Sequence, residues 1–150
     1  MRGSRSSAWR LPLTVSVTFS VCNAGSAAAS ADAACEATAN ELSAAYDGEC
    51  IALPIDISTN ASIEMLASEI TKREGKLDIL VNNAGAAWGA DFDDFPESGW
   101  DKVINLNLKT PFFLTKALAA SLRTAASAEK PAKVINIAAI DGIFVNPLET

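Results

Sequence analysis

The chain has 150 residues, 49% of them hydrophobic, which is enough for one buried core and too apolar for a chain that stays disordered. It contains no histidine, which excludes Ser-His and Cys-His catalysis and imidazole metal sites. All eighteen acidic residues lie from Asp32 onward with nine of the twelve basic ones, and such an acidic body argues against nucleic acid as a partner.

No stretch approaches the apolar length of a membrane span. Cys22, Cys35 and Cys50 are odd in number and lack CxxC spacing, so they read as reduced thiols of a packed intracellular domain.

Residues 1–30 stand apart from the rest. Arg2, Arg5 and Arg10 precede LPLTVSVTFSV, and AGSAAAS follows, which imitates the basic, apolar and small-residue regions of a secretory signal. The acid-free, Arg- and Ser-rich composition equally suits a mitochondrial transit peptide. Thr14, Ser16, Thr18 and Ser20 alternate with Val15, Val17, Phe19 and Val21, which dilutes the apolar region and has the period of a strand. A further reading is a stretch foreign to the fold. The location expected is cytoplasmic in that case, and mitochondrial or secreted if the segment is a targeting signal.

Asp32 to Ala45, rich in Ala, Glu and Leu, predicts a surface helix ended by Tyr46-Asp47-Gly48. Cys50 to Leu53 predicts a short buried strand with Pro54-Ile55-Asp56-Ile57-Ser58 as its exit. Asn60 is then the expected cap of a helix on which Ile63, Leu66, Ala67 and Ile70 form one apolar stripe, with Lys72 and Arg73 at its C-terminal end.

The chain is organised around KLDILVNNAGAAWG, from Lys76 to Gly89. Leu77, Ile79, Leu80 and Val81 have the composition of a strand buried on both faces of a parallel sheet. Asn82-Asn83-Ala84-Gly85 follows at its carboxyl end, where open α/β sheets bind ligands and small residues let a flat ligand approach the backbone; an ordinary strand-to-turn exit is the alternative.

Asp91, Asp93, Asp94 and Glu97 read as solvated like charge, and no metal is assigned to them. Pro96 suits a first helical position, after which Trp100, Val103, Ile104, Asn107 and Leu108 share a face. An amide on an apolar stripe is either satisfied by a neighbouring backbone or functional. Pro111 lacks the N–H that would bond the Asn107 carbonyl, so the helix should bend there and free that carbonyl. Lys133 to Ile137 predicts another apolar strand, with Ala138-Ala139-Ile140-Asp141-Gly142 as its exit. Strands alternating with helices give an α/β class with a parallel sheet.

LDILVNNAG resembles the hallmark sequence of the short-chain dehydrogenase/reductase family, Rossmann-fold enzymes that move hydride between a nicotinamide cofactor and a carbonyl or alcohol. WDKVINLNLKTPFF resembles the family's segment around its catalytic asparagine. The segments NAGAAWG, SGW, ASAEKPA and VINI are similar to the branch of rhamnolipid-biosynthesis 3-oxoacyl reductases.

The resemblance covers residues 31–150 as the central part of an NAD(P)-binding domain and implies a partial Rossmann-like doubly wound parallel sheet with helices on both faces. It implies NADP or NAD as cofactor, NADP preferred, with Asp56 and Ile57 at the adenine ring and Asn83, Ala84 and Gly85 also cofactor-binding. Asp56 is otherwise a helix-capping or turn aspartate. The resemblance further implies that the Asn107 carbonyl holds a water in a proton relay, and that Ala139 occupies the position of the catalytic serine. A small-molecule carbonyl substrate and a homo-oligomer, with neither membrane nor nucleic acid as a partner, complete the expectation.

The family's TGxxxGxG turn and YxxxK pair do not occur in the 150 residues, whose single tyrosine is Tyr46. The chain is therefore expected to be truncated and inactive alone. The alternative is a non-catalytic remnant acting through protein contacts.

Overall fold

The computed structural model describes residues 28–46 and 48–139. The readings made for residues 1–27, including the Thr14–Val21 alternation, and for the Ile140-Asp141-Gly142 turn lie outside them.

The first helix, α1, spans Ala28–Ala45. Its last turn is tied to the following segment by Ser43, whose Oγ accepts the Cys50 N–H at 2.8 Å and donates to the Cys50 carbonyl at 3.3 Å. Cys50–Leu53, expected as a strand, pairs with no strand among the described residues; Leu53 and Ile55 instead pack half-buried against the core. A strand needs a ladder partner, and among the described residues none lies beside this segment.

Helix α2, Asn60–Glu74, is capped by Thr59 rather than by Asn60: the Thr59 hydroxyl accepts the Ser62 N–H, so the chain enters the helix one residue earlier than expected. Gly75 ends it with φ +67, a left-handed conformation that glycine adopts without strain, and its N–H returns to the Thr71 carbonyl at 2.9 Å. The expected stripe Ile63, Leu66, Ala67 and Ile70 is buried throughout. It packs on the helix of residues Thr110–Ala125 that leads into the second strand, where Leu114, Leu118 and Leu122 are buried in the same cluster, and Thr71 meets Ser121 hydroxyl to hydroxyl at 3.2 Å.

Strand β1, Ile79–Asn82, pairs in parallel with β2, Lys133–Asn136, in a register that sets Ile79 against Lys133 and Asn82 against Asn136. The Leu77 N–H bonds the Ser121 carbonyl at 3.1 Å, so the sheet's entry is fixed to the helix that covers it. Only one face of β1 is buried: Leu80 and Asn82 point into the core, while Val81 is 40% exposed. All of β2 is exposed. The correction to the expected two-faced burial has a geometric origin, since the buried side chains of the core cluster come from the elements on the Leu80 side.

Between the strands run a short 3-10 turn at Phe92–Asp94, helix α3 at Glu97–Ile104, a π-turn at Asn105–Lys109, and helix α4 at Thr110–Ala125. Pro96 stands at the cap of α3 with an extended backbone, one place before the expected position. The expected stripe through Trp100 and Leu108 breaks: these are 60% and 65% exposed, and Leu106 is buried instead. The π-turn inserts an extra residue per turn and rotates everything beyond Asn105 relative to α3, which moves Leu106 inward. The irregularity before Pro111 is thus a widened turn, closed by the Thr110 N–H on the Asn105 carbonyl.

An ion pair staples the return to β2. Lys130 Nζ lies 2.6 Å from Asp78 Oδ1, and the Lys133 N–H bonds the Asp78 carbonyl at 2.9 Å. The hydrogen bond from Lys130 holds the Asp78 carboxyl below its ordinary value of 3.8. A depressed acid contributes stability above its unfolded pKa and loses it as pH falls through the folded pKa. Stability should therefore decline below about pH 4 with a component that Asp78→Asn abolishes, measured by urea titration at successive pH values. For a solvent-accessible pair that component is at most about 1 kcal/mol.

Candidate functional site

The two parallel strands end side by side, and their exits form one cleft of about 1190 Å³. Its floor is the β1 exit from Asn82 to Ala87, one wall is the start of α4 with Leu108, Pro111, Phe112 and Thr115, and the other is the β2 exit from Asn136 to Ala139.

The two asparagines at the β1 exit divide their work. Asn82 is buried, and its Nδ2 donates to Asn136 Oδ1 at 2.8 Å across the register and to Thr115 Oγ1 at 3.3 Å. It fixes both strand ends to α4. The Ile137 N–H completes the junction by bonding the Asn82 carbonyl at 2.9 Å. Asn83 is exposed in the cleft, followed by half-buried Ala84 and exposed Gly85. The small side chains leave main-chain groups approachable by a flat ligand.

Asn107 holds the loop beyond. Its Oδ1 accepts the Ala86 N–H at 2.7 Å and its Nδ2 donates to the Ala86 carbonyl at 2.9 Å. The amide is thus satisfied by a neighbouring backbone, one of the two readings of an asparagine on that stripe. A side chain so engaged is unavailable for proton transfer, whereas the main-chain carbonyl remains one to which Pro111 cannot bond.

A second fixing point lies beyond the cleft. Trp88 lies over Gly99, where a Cβ would stand 2.6 Å from the indole Cδ1, and Lys102 Nζ is 5.5 Å from the ring centroid. No residue other than glycine fits under that ring without displacing it. The glycine and the tryptophan are eleven residues apart, and the contact was not foreseeable from either alone.

Asn83, Ala84, Gly85, Asn107 and Ala139 are therefore brought together around one cleft. Asp56 and Ile57 are outside its lining. Asp56 Oδ1 accepts the Ser58 N–H at 2.9 Å, the geometry of a turn aspartate, and the Ile57 side chain is 1% exposed in the core. Sequence reasoning missed Thr110, which is buried and donates to the Ile57 carbonyl at 3.0 Å. A single threonine between Lys109 and Pro111 has no periodic signal that could have revealed it.

Known proteins resemble this chain in sequence and in fold. The short chain dehydrogenase family profile matches residues 21–149. The rhamnolipids biosynthesis 3-oxoacyl-[acyl-carrier-protein] reductase of Pseudomonas aeruginosa is 48% identical over 110 residues, which are 73% of this chain and 42% of that protein. An uncharacterized oxidoreductase of Bacillus subtilis is 32% identical over 111 residues, 73% of this chain and 41% of its own length.

Among solved structures, the Pseudomonas aeruginosa RhlG/NADP active-site complex matches with a TM-score of 0.71 at 46% identity, over 76% of this chain and 44% of that one. A metagenomic short-chain oxidoreductase in complex with NADP matches with a TM-score of 0.64 at 34% identity, over 75% and 48%. The chain thus spans less than half the length of these proteins. Its sheet and helices are a partial α/β Rossmann-like fold, and the chain belongs to the short-chain dehydrogenase family.

Proposed function

We propose that residues 31–150 are the central part of the NAD(P)-binding domain of a reductase that acts on a 3-oxoacyl group or a similar ketone. The observation that carries this reading is the convergence of Asn83, Ala84, Gly85, Asn107 and Ala139 on one cleft at the carboxyl ends of two parallel strands. The residues present suit a nicotinamide dinucleotide. The floor is small enough for a ring to lie against the backbone, and Leu108, Phe112 and Ile137 supply apolar surface along the walls. A bound nicotinamide dinucleotide supplies the hydride.

This chain's residues have distinct parts in that reading. Asp56 would hold the adenine with its carboxylate, one oxygen of which also receives the Ser58 N–H, and Ile57, 1% exposed, would back that contact from within the same turn. Asn107 keeps the Ala86 loop in place and offers its carbonyl to a water in the proton relay. Ala139 brings a methyl group where the family serine brings a hydroxyl. NADP is preferred over NAD because two relatives solved with NADP share 46% and 34% identity with the chain. Exposed Trp100 accords with a homo-oligomer, and the expected location is cytoplasmic.

A chimera tests the activity: residues 31–139 of this chain replace the matching part of the Pseudomonas reductase, and NADPH oxidation is followed with a 3-oxoacyl thioester. Slow turnover, saturable in both NADPH and thioester, is expected. The 150 residues alone lack TGxxxGxG and YxxxK and should show no saturable micromolar NADPH binding. Ala139 also favours a second reading, a non-catalytic remnant acting through protein contacts, and a chimera that folds but stays inactive even with Ala139→Ser would establish it.

A further inference from the structure

Thr110 is 3% exposed at the junction of the π-turn and α4. Its Oγ1 lies 3.0 Å from the Ile57 carbonyl and 2.9 Å from the Asn105 carbonyl, and a hydroxyl has one proton to give. The Asn105 carbonyl already accepts the Thr110 main-chain N–H. Ile57 is 1% exposed, out of reach of water, so the proton contributes more on the Ile57 carbonyl.

One buried hydroxyl thereby joins two segments that are 53 residues apart. The first is the turn in which Asp56 receives the Ser58 N–H. The second is the π-turn, and within it Asn107 grips both main-chain groups of Ala86 on the cleft floor. Hydrogen bonds thus link Ile57 to Thr110 and Asn107 to Ala86, and the π-turn joins the two pairs through the main chain.

We propose that Thr110 is a positioning residue that couples the Asp56–Ile57 turn to the Asn107 grip, so that an adenine-bearing ligand at the turn firms the floor of the cleft. The inference rests on the assignment of the adenine to Asp56 and Ile57 made above. A ligand that orders the turn biases the Thr110 hydroxyl toward the Ile57 carbonyl, leaves the Asn105 carbonyl to the main-chain N–H, and narrows the range of the π-turn that holds Asn107.

Residue-resolved amide exchange of the 150-residue chain tests this without turnover. Thr110→Val keeps the shape and removes the proton, and Thr110→Ser keeps the proton. In Thr110→Val the Ser58 and Ala86 amides should exchange about tenfold faster while those of Ile70 and Leu118 hold; in Thr110→Ser all should stay within about threefold of the parent. Equal acceleration at every amide of a chain that retains its helical circular dichroism, or no acceleration at Ala86, overturns the coupling.

AMP at millimolar concentration should slow exchange at both Ser58 and Ala86 in the parent chain and in Thr110→Ser, and at Ser58 alone in Thr110→Val. Protection of Ser58 without Ala86 in the parent overturns the coupling even if the valine variant does not fold. Protection of neither amide removes the adenine assignment, and the comparison of valine with serine then decides the coupling by itself.

Discussion

In the chimera with the Pseudomonas reductase, Ala139→Ser is expected to raise the turnover number by about 10²–10³. Ala139 lies at the β2 exit on the wall of the cleft, beyond Ile137, whose N–H is anchored to the Asn82 carbonyl. A side chain there is held on a fixed strand end rather than on a loose loop. In the proposed site a hydroxyl at this position would donate to the oxygen on which negative charge accumulates as hydride arrives, and removing one such positioned donor commonly costs about 10²–10³ in rate. The methyl group of Ala139 would leave that oxygen without this partner. KM for NADPH should change little, because the hydroxyl acts on the substrate oxygen and its contribution grows toward the transition state. Steady-state kinetics separate the two parameters. An unchanged turnover number would show that another group stabilises the oxyanion, or that the strand exit is misassigned.

Leu118→Ala is expected to lower stability by about 2–5 kcal/mol, a large part of what a domain of this size has. Leu118 is 0% exposed and lies in the cluster where α4 meets the Ile63, Leu66 and Ile70 stripe of α2. Truncating it leaves a cavity between two helices, whose rigidity keeps them from closing it. The consequence reaches the site, because α4 also supplies Pro111, Phe112 and Thr115 to the cleft.

The parent chain is itself expected to be marginal. Val81, Val134, Ile135 and Ile137 expose apolar surface on a two-stranded sheet with open edges among the described residues. Urea unfolding followed by circular dichroism measures the difference, with Met65→Ala, 59% exposed on α2, as a control expected within about 0.5 kcal/mol. A shift below about 1 kcal/mol for Leu118→Ala would mean that the contact between α2 and α4 is not the core.

The elements legible in the sequence were those with strong periods or abrupt ends. The α2 stripe emerged residue by residue, and β1 and β2 were evident as apolar runs that stop at an asparagine or a small residue. Lone signals went astray by one position, as when Asn60 stood in for Thr59, because both side chains can cap and only the backbone conformation distinguishes them.

Leu108 fails for a deeper reason: a period of 3.6 run from α3 across the π-turn gives Leu108 the inward place that Leu106 takes. Asn82 and Asn83 are chemically identical in sequence, and strand parity alone sends the first into the Asn136 and Thr115 network and the second into the cleft. Contacts between distant segments, such as Trp88 on Gly99 and Thr110 on Ile57, had no local signature at all.

The most direct test of the central claim, that the nicotinamide lies in the cleft between the two strand exits, is an NADPH titration of the isotope-labelled chimera followed by amide chemical shifts. The amides of Asn83, Ala84, Gly85 and Ala139 are predicted to shift along one saturable curve, while those of Leu118 and Lys130 stay in place. Saturable binding that moves amides elsewhere and leaves these four unmoved would contradict the account.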